Sequence, residues 1–418
     1  MTLDAPERAA AVAAAVEARR SQLLATSHYI HANPEVRFTE RLASARLAEE
    51  LQAGGFNVEL GVGTLPTAFR AELKGTEHGP TVAILAEYDA LPDIGHACGH
   101  NVIASSALGA GLALASSGAS FPGTLLVIGT PAEEGGGGKV TLAENGVFDD
   151  VEAAIMIHPS QRNMVSRGSL AHSFMEVIFH GRASHAAAAP DQGINALEAV
   201  MMTFAGLNAR RLHMRSDARV HGFINNGGSA VNIIPGLASA RFSVRAKDRA
   251  YQRELIALLT QVARGAETMI GARLELNETR GYEHMVTNET IAAVMGQHLQ
   301  RLGRTIIAPT SEDRLGSTDM GDISQIVPAV HAYLAIAPEG VANHTIEFTA
   351  AAASETGDAA VIVGATSLAQ TALDVLTTPT LLEAAKAEFA AQLASGAVAG
   401  KDAWMEHGKA FAPVNRSA

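Results

Sequence analysis

Two short strings hold most of the residues that can do chemistry. One is Gly95-His96-Ala97-Cys98-Gly99-His100-Asn101, which contains the only cysteine among the 418 residues. The other is the pair Glu133-Glu134, followed by four consecutive glycines at 135–138. Thiolate, imidazole and carboxylate are the donors that zinc-like cations take. Adding His158 and His344 gives five donors: Cys98, His100, Glu134, His158 and His344. That is more than one tetrahedral structural site needs, so the set points to a two-metal centre with an open position. Each piece also has an ordinary reading. A lone cysteine is often just buried, and a Glu-Glu loop is usually a solvated acidic patch. The second reading is weakened by position, because the pair follows an apolar run and the glycines after it leave room for a substrate.

The elements that would hold these donors are legible as apolar runs. Residues 81–86 run into Glu87-Tyr88-Asp89, residues 124–129 into Glu133-Glu134, and residues 153–157 into His158. Nearly unbroken apolar strands separated by helical patterns predict an α/β fold with a mainly parallel sheet covered on both faces. In such sheets the site lies beyond the carboxyl ends of the strands. Helical patterns are predicted over 5–29, 39–53 and 102–116. From about residue 171 the strands alternate instead, at 173–179, 220–224 and 240–245, with helices over 193–213 and 250–269; this reads as a smaller α+β insert. Helix–strand alternation returns after about 283, with a long helix over 350–376. The expected organisation is a catalytic metal-binding domain over 1–170 and 284–418, interrupted by a lid or dimerisation domain over 171–283.

Composition narrows the function classes. A net charge of −12 argues against a nucleic-acid partner. No apolar run reaches the roughly 18 residues of a membrane span, and the first twenty residues lack an apolar signal core. A single cysteine excludes an intrachain disulfide and suits a reducing compartment, so a cytoplasmic location is expected. The glycine run does not fit a phosphate loop, since Val140 stands where a magnesium-binding hydroxyl belongs. Within the insert, residues 205–250 carry eight basic residues against two acidic ones. Most read as surface charge. Arg245 differs because it ends an alternating strand, and an arginine fork suits a substrate carboxylate.

The strings Glu87-Tyr88-Asp89-Ala90-Leu91-Pro92, Gly95 to Asn101, Gly129-Thr130-Pro131-Ala132-Glu133-Glu134, His158-Pro159, Gly181-Arg182-Ala183-Ser184-His185, Asn232-Ile233-Ile234-Pro235, Gly316-Ser317-Thr318-Asp319 and Asn343-His344-Thr345 resemble, in order, the M20 metallopeptidase and amidohydrolase family. The resemblance is nearest to its cysteine-ligand branch of aminoacylase-like enzymes and dipeptidases. It implies that Cys98, His100, Glu134, His158 and His344 ligate two divalent ions, zinc or manganese with cobalt as a further option, and that the Cys98 sulfur bridges them. Glu133 is then the general base. Asp89 supports the ligands from behind, and Glu87 stands where many branches have a further histidine ligand. His185 becomes a catalytic donor, Asn232 and Arg245 bind substrate, and the smaller domain builds a homodimer. The implied activity is hydrolysis of an amide or peptide bond in a small molecule with a free carboxylate, such as a β-alanyl or Xaa-basic dipeptide. The alternative is an N-acyl-amino-acid amidohydrolase of the aminoacylase or aminobenzoyl-glutamate type. A catalytically silent binding module would require a lost base or ligand, and the sequence lacks neither.

Overall fold

The computed structural model describes residues 5–310, 313 and 315–409. The predicted helix over 5–29 is two helices, α1 (Ala5–Ala18) and α2 (Arg20–Ala32), parted where Arg19 leaves helical geometry at ψ 4°. Helix α3 (Arg41–Ala53) is held at its start by the Glu35 carboxylate, which accepts from the amides of Arg41, Leu42 and Ala43. Then follow β1 (Asn57–Leu60), β2 (Phe69–Lys74), β3 (Glu77–Ala86), α4 (His100–Ser116), β4 (Pro122–Gly129), α5 (Gly138–Glu144) and β5 (Ala153–Ser160). The middle of the chain forms β6 (Ala171–His180), α6 (Ala196–Arg210), β7 (Arg219–Asn226), β8 (Leu237–Ala246), α7 (Arg249–Ile270) and β9 (Arg273–Arg280). The remainder is α8 (Glu289–Arg301), α9 (Met320–Ser324), β10 (Ala329–Ala335), α10 (Ile346–Ala352), α11 (Glu355–Thr377), α12 (Pro379–Ser395) and α13 (Lys401–Lys409).

The chain forms two compact units. The first comprises Met1–Gly168, Met285–Leu315 and Asp322–Asp402. Its six-stranded sheet runs β1-β2-β4-β3-β5-β10, with β4, β3, β5 and β10 parallel and the β1 and β2 edge antiparallel. Val82, Ile84, Leu125, Val127, Ile155 and Ile157 are fully buried, which is why these strands read as continuous apolar runs. Emptying one such position, as in Ile155→Ala, costs about 2–5 kcal/mol. Helices α4 and α11 cross closely over the sheet, and a Cβ on Gly364 would stand 2.6 Å from Ser106 Oγ. The predicted helix over 350–376 is interrupted, because Ser354 caps a new helix after α10 ends. Contrary to the sequence reading, α11 is long and apolar enough to cross a membrane by length and composition, yet 83% of its most apolar window is buried inside the unit.

The second unit holds the antiparallel sheet β7-β8-β6-β9 with α6 and α7 packed on one face, where Val177, Phe179, Ala240 and Phe242 alternate inward. It runs from Ser169 to His284 and gains two segments that the boundaries 1–170 and 284–418 place in the catalytic domain: Gly316–Gly321 and the chain from Ala403. Backbone contact explains the first, since the Leu170 amide donates to Gly316 O at 2.8 Å and Gly321 sits where a Cβ would meet Glu283 O at 2.0 Å. Trp404 explains the second. It is fully buried, with the Arg280 guanidinium 4.5 Å above its ring.

Candidate metal centre

Every expected cation donor lies in the first unit, at or just past the carboxyl ends of its parallel strands. His100 opens α4, directly after the Cys98 loop, and Gly99 makes this turn possible. It sits at φ 74°, and a Cβ there would stand 2.7 Å from Pro159, the residue after His158. Ligand atoms of Cys98, His100 and His158 lie within 4.8 Å of one another, as do those of Cys98, Glu134 and His344, and those of His100, Glu133 and Glu134. Cys98 and Glu134 each belong to a set that reaches the other donors, the arrangement expected of two neighbouring cations. His344 is the exposed member, with 57% of its side chain accessible, and its Nε2 is 3.6 Å from Glu134 Oε1.

Hydrogen bonds behind the donors set which atom each presents. His100 Nδ1 donates to Asp89 O at 2.8 Å and lies 3.2 Å from Asp89 Oδ1, so Nε2 is the atom left to face a cation. His158 Nδ1 donates to Pro159 O at 2.6 Å, again leaving Nε2. The other oxygen of Asp89 accepts from the Glu134 amide at 2.9 Å, so one carboxylate orients two neighbouring donors.

The residues present fit a cationic group. Among the described residues, His100 Nε2, Glu134 Oε1 and Glu87 Oε2 are buried and have no hydrogen-bond partner, a costly state for polar atoms in a protein interior. His100 Nε2 is 3.5 Å from Glu87 Oε2 and 4.0 Å from Glu134 Oε1. Burial pulls the His100 pKa down, but the bond and charge of Asp89, with Glu87 and Glu134, bring it up to about 10. Burial and the Glu134 charge push the Cys98 thiol well up. Protons stand where positive charge is wanted. Cys98, His100, Glu134, His158 and His344 supply the S, N and O donors that divalent zinc or manganese takes.

Three features beside the site were not anticipated. Lys139, fully buried straight after the four glycines, pairs with Glu87 Oε1. His331, read as structural or surface, is buried with its ring 5.5 Å from that of His158, and its Nδ1 meets Tyr333 Oη at 3.3 Å. Glu40 is fully buried under the Glu133 turn. His331 lies inside an apolar strand stretch, the one signal that marked it as inward-facing. His96, whose place the sequence leaves open between support and structure, is buried and bonded to Ile30 O.

The remaining predicted residues lie in the second unit. His185 is exposed, and its Nδ1 accepts from the amides of Ala187 and Ala188 at 3.2 and 3.1 Å, which leaves the ring proton on Nε2 as a donor. Asn232 is exposed in a loop whose backbone pairs with the His185 segment. Arg245 is half-buried; its Nε and Nη1 reach only the hydroxyls of Ser243 and Ser317, and among the described residues no carboxylate pairs with it.

The profile of peptidase family M20/M25/M40 matches residues 83–374. The chain belongs to that family. It is a hydrolase. Among its relatives, the Xaa-Arg dipeptidase of Mus musculus is 38% identical over 397 residues, which cover 90% of this chain and 91% of that protein. A p-aminobenzoyl-glutamate hydrolase polypeptide of Escherichia coli (strain K12) is 32% identical over 310 residues, 69% of this chain and 64% of the relative. The M20 fold is also seen in a dinuclear metal binding peptidase of Bacillus subtilis, similar with TM-score 0.71 at 23% identity over 86% of this chain and 99% of the other.

Proposed function

We propose that this M20 hydrolase cleaves the amide bond of a small substrate bearing a free carboxylate, foremost a dipeptide with a basic C-terminal residue, using two zinc or manganese ions. The observation that carries the reading is the cluster of Cys98, His100, Glu134, His158 and His344 beside the carboxylate of Glu133, with buried donor atoms that lack partners at His100 Nε2 and Glu134 Oε1. The mouse Xaa-Arg dipeptidase supports the substrate class through its 38% identity along nearly the whole chain. Similarity to the p-aminobenzoyl-glutamate hydrolase of Escherichia coli supports the second reading, an N-acyl-amino-acid amidohydrolase.

When bound, such ions lower the pKa of a coordinated water and polarise the scissile carbonyl. Glu133 would act as general base, taking a proton from the attacking water and passing it to the leaving amine. Asp89 and Pro159 O keep His100 and His158 in the tautomer that offers Nε2. His185 donates from Nε2 to the developing oxyanion, while Arg245 and Asn232 hold the substrate carboxylate. The same reading includes a homodimer through the second unit, where Phe223 and Ile224 are exposed on edge strand β7. It also includes a cytoplasmic location, where a thiolate ligand stays reduced.

Glu133→Gln tests the chemistry. Its metal content by mass spectrometry should stay at the wild-type value while kcat falls by about 10³-fold. Full turnover by this variant, or wild-type activity indifferent to a chelator, would sink the reading. A panel of Xaa-Arg, Xaa-Lys and β-alanyl dipeptides against N-acetyl amino acids and aminobenzoyl-glutamate separates the two substrate classes by kcat/KM.

A further inference from the structure

The turn that carries Glu133 and Glu134 is built on an unusual backbone. Ala132, directly before the base, has φ 61°, a left-handed conformation that side chains other than glycine seldom adopt. Its carbonyl accepts from the amides of Gly136 and Gly138, so the conformation of Ala132 sets the whole glycine turn. Its amide donates to Glu40 Oε1 at 2.9 Å. The same oxygen accepts from the amide of Phe38 at 2.8 Å, and Phe38 is itself left-handed at φ 63°. Two strained residues, 94 positions apart in the chain, are thus tied to one oxygen atom. Glu40 Oε2 accepts from Thr67 Oγ1 at 3.0 Å, and Thr67 O accepts from Tyr88 Oη at 2.5 Å, one residue before Asp89. The two turns also touch, since a Cβ on Gly136 would stand 2.8 Å from Phe38 Cε2 and 2.6 Å from Ala132 Cβ.

We propose that Glu40 is a positioning residue for Glu133: its Oε1 pins Ala132 in the left-handed conformation that aims the base. A cap for α3 does not explain the arrangement, because Glu35 already fills that role. Nor does solvation, because Glu40 is fully buried. The inference rests on Glu133 acting as the base.

Three variants test it. Glu40→Asp keeps the charge but withdraws the oxygen by one methylene; a slackened turn should cost about 10²-fold in kcat, with KM within a few-fold of wild type and metal content unchanged. Glu40→Gln keeps a carbonyl oxygen for Phe38 and Ala132, so kcat and its pH profile should stay near wild type. Adding Ala132→Gly to Glu40→Asp lets the backbone hold a left-handed φ without the tie, and should restore kcat at least ten-fold over Glu40→Asp alone. Unchanged kcat in Glu40→Asp, no restoration by Ala132→Gly, or a displaced pH profile in Glu40→Gln would overturn the proposal. So would a Glu40→Asp protein that does not fold while Glu40→Gln does, because the reach of the Oε1 tie would then serve the fold and not the base. A fully active Glu133→Gln would bring down the assignment of the base; an inactive Glu133→Gln beside an unaffected Glu40→Asp would bring down only the role of Glu40.

Discussion

The two units hold their candidate residues in opposite ways. In the first, Cys98, His100 and Glu133 are buried and His344 alone of the donors is exposed, Asp89 orients His100 from behind, and His100 Nε2 finds no hydrogen-bond partner among the described residues. In the second, His185 and Asn232 are exposed on loops, and Arg245 is half-buried. A site that must hold cations gains from rigid, desolvated donors, whose strength depends on excluding water. Groups that meet a substrate which comes and goes suit an exposed and adjustable surface. The contrast implies that substitutions in the first unit couple folding to metal binding, whereas those in the second act mainly on substrate affinity.

The largest effect that tests this contrast is at Lys139. Lys139 and Glu87 form an ion pair with neither side chain accessible. Lys139→Met leaves the Glu87 carboxylate buried without its cation, which should destabilise the metal-free protein by about 3–5 kcal/mol. Adding Glu87→Gln removes the stranded charge and should recover most of that loss. Urea unfolding of the metal-free single and double variants reads both numbers. A single variant as stable as wild type would show that the first unit tolerates loose charge and would break the comparison.

How much of this was readable beforehand follows the same division. Apolar strands that end in carboxylates or histidine marked the sheet, its buried centre and the neighbourhood of Cys98, Glu133, Glu134 and His158, because period and polarity record burial directly. Glu40 and Lys139, the buried partner of Glu87, left no such trace, since a charged residue outside an apolar run looks solvated until the fold supplies its partner. The break at Arg19 and the restart at Ser354 were missed because alanine-rich sequence favours helix on both sides of each. In the second unit, His185 stood out only as a histidine after a strand pattern, and its role, like that of Asn232, came from the resemblance; loop residues have no periodicity to read.

A smaller effect is expected at Arg245. With only two hydroxyls in reach and no acidic partner among the described residues, its guanidinium is free to take a carboxylate in a forked bond. Arg245→Met should raise KM by about 10–10²-fold for a dipeptide with a free carboxylate, matching the worth of a charge-assisted bond. Metal content and protein stability should not change. The dipeptide amide should lose little, so the preference for acid over amide collapses. Arg245→Lys should recover only part, lacking the fork. Loss of bound metal in Arg245→Met would erase the distinction between the units.

The smallest effect is a pH dependence confined to the second unit. His172 is buried, and burial together with the charges of Arg245 and Arg249 and the nearby His221 lowers its pKa to about 3. Folded His172 therefore stays neutral where the unfolded residue, near 6.5, takes up a proton. Above pH 6.5 both states are neutral and nothing is gained or lost. As pH falls from 6.5 toward 3, proton uptake favours the unfolded chain, so stability declines by at most about 1.4 kcal/mol per pH unit. Trp404 is the only tryptophan, is fully buried, and belongs to the second unit, so its fluorescence reports unfolding there. Urea midpoints followed by Trp404 should fall between pH 6.5 and pH 5, and His172→Gln should flatten that slope. An equal slope in the variant would assign the acid sensitivity to other histidines whose pKa burial lowers: His407 in the second unit, to about 4, or His96 and His158 in the first, to about 3 and about 4.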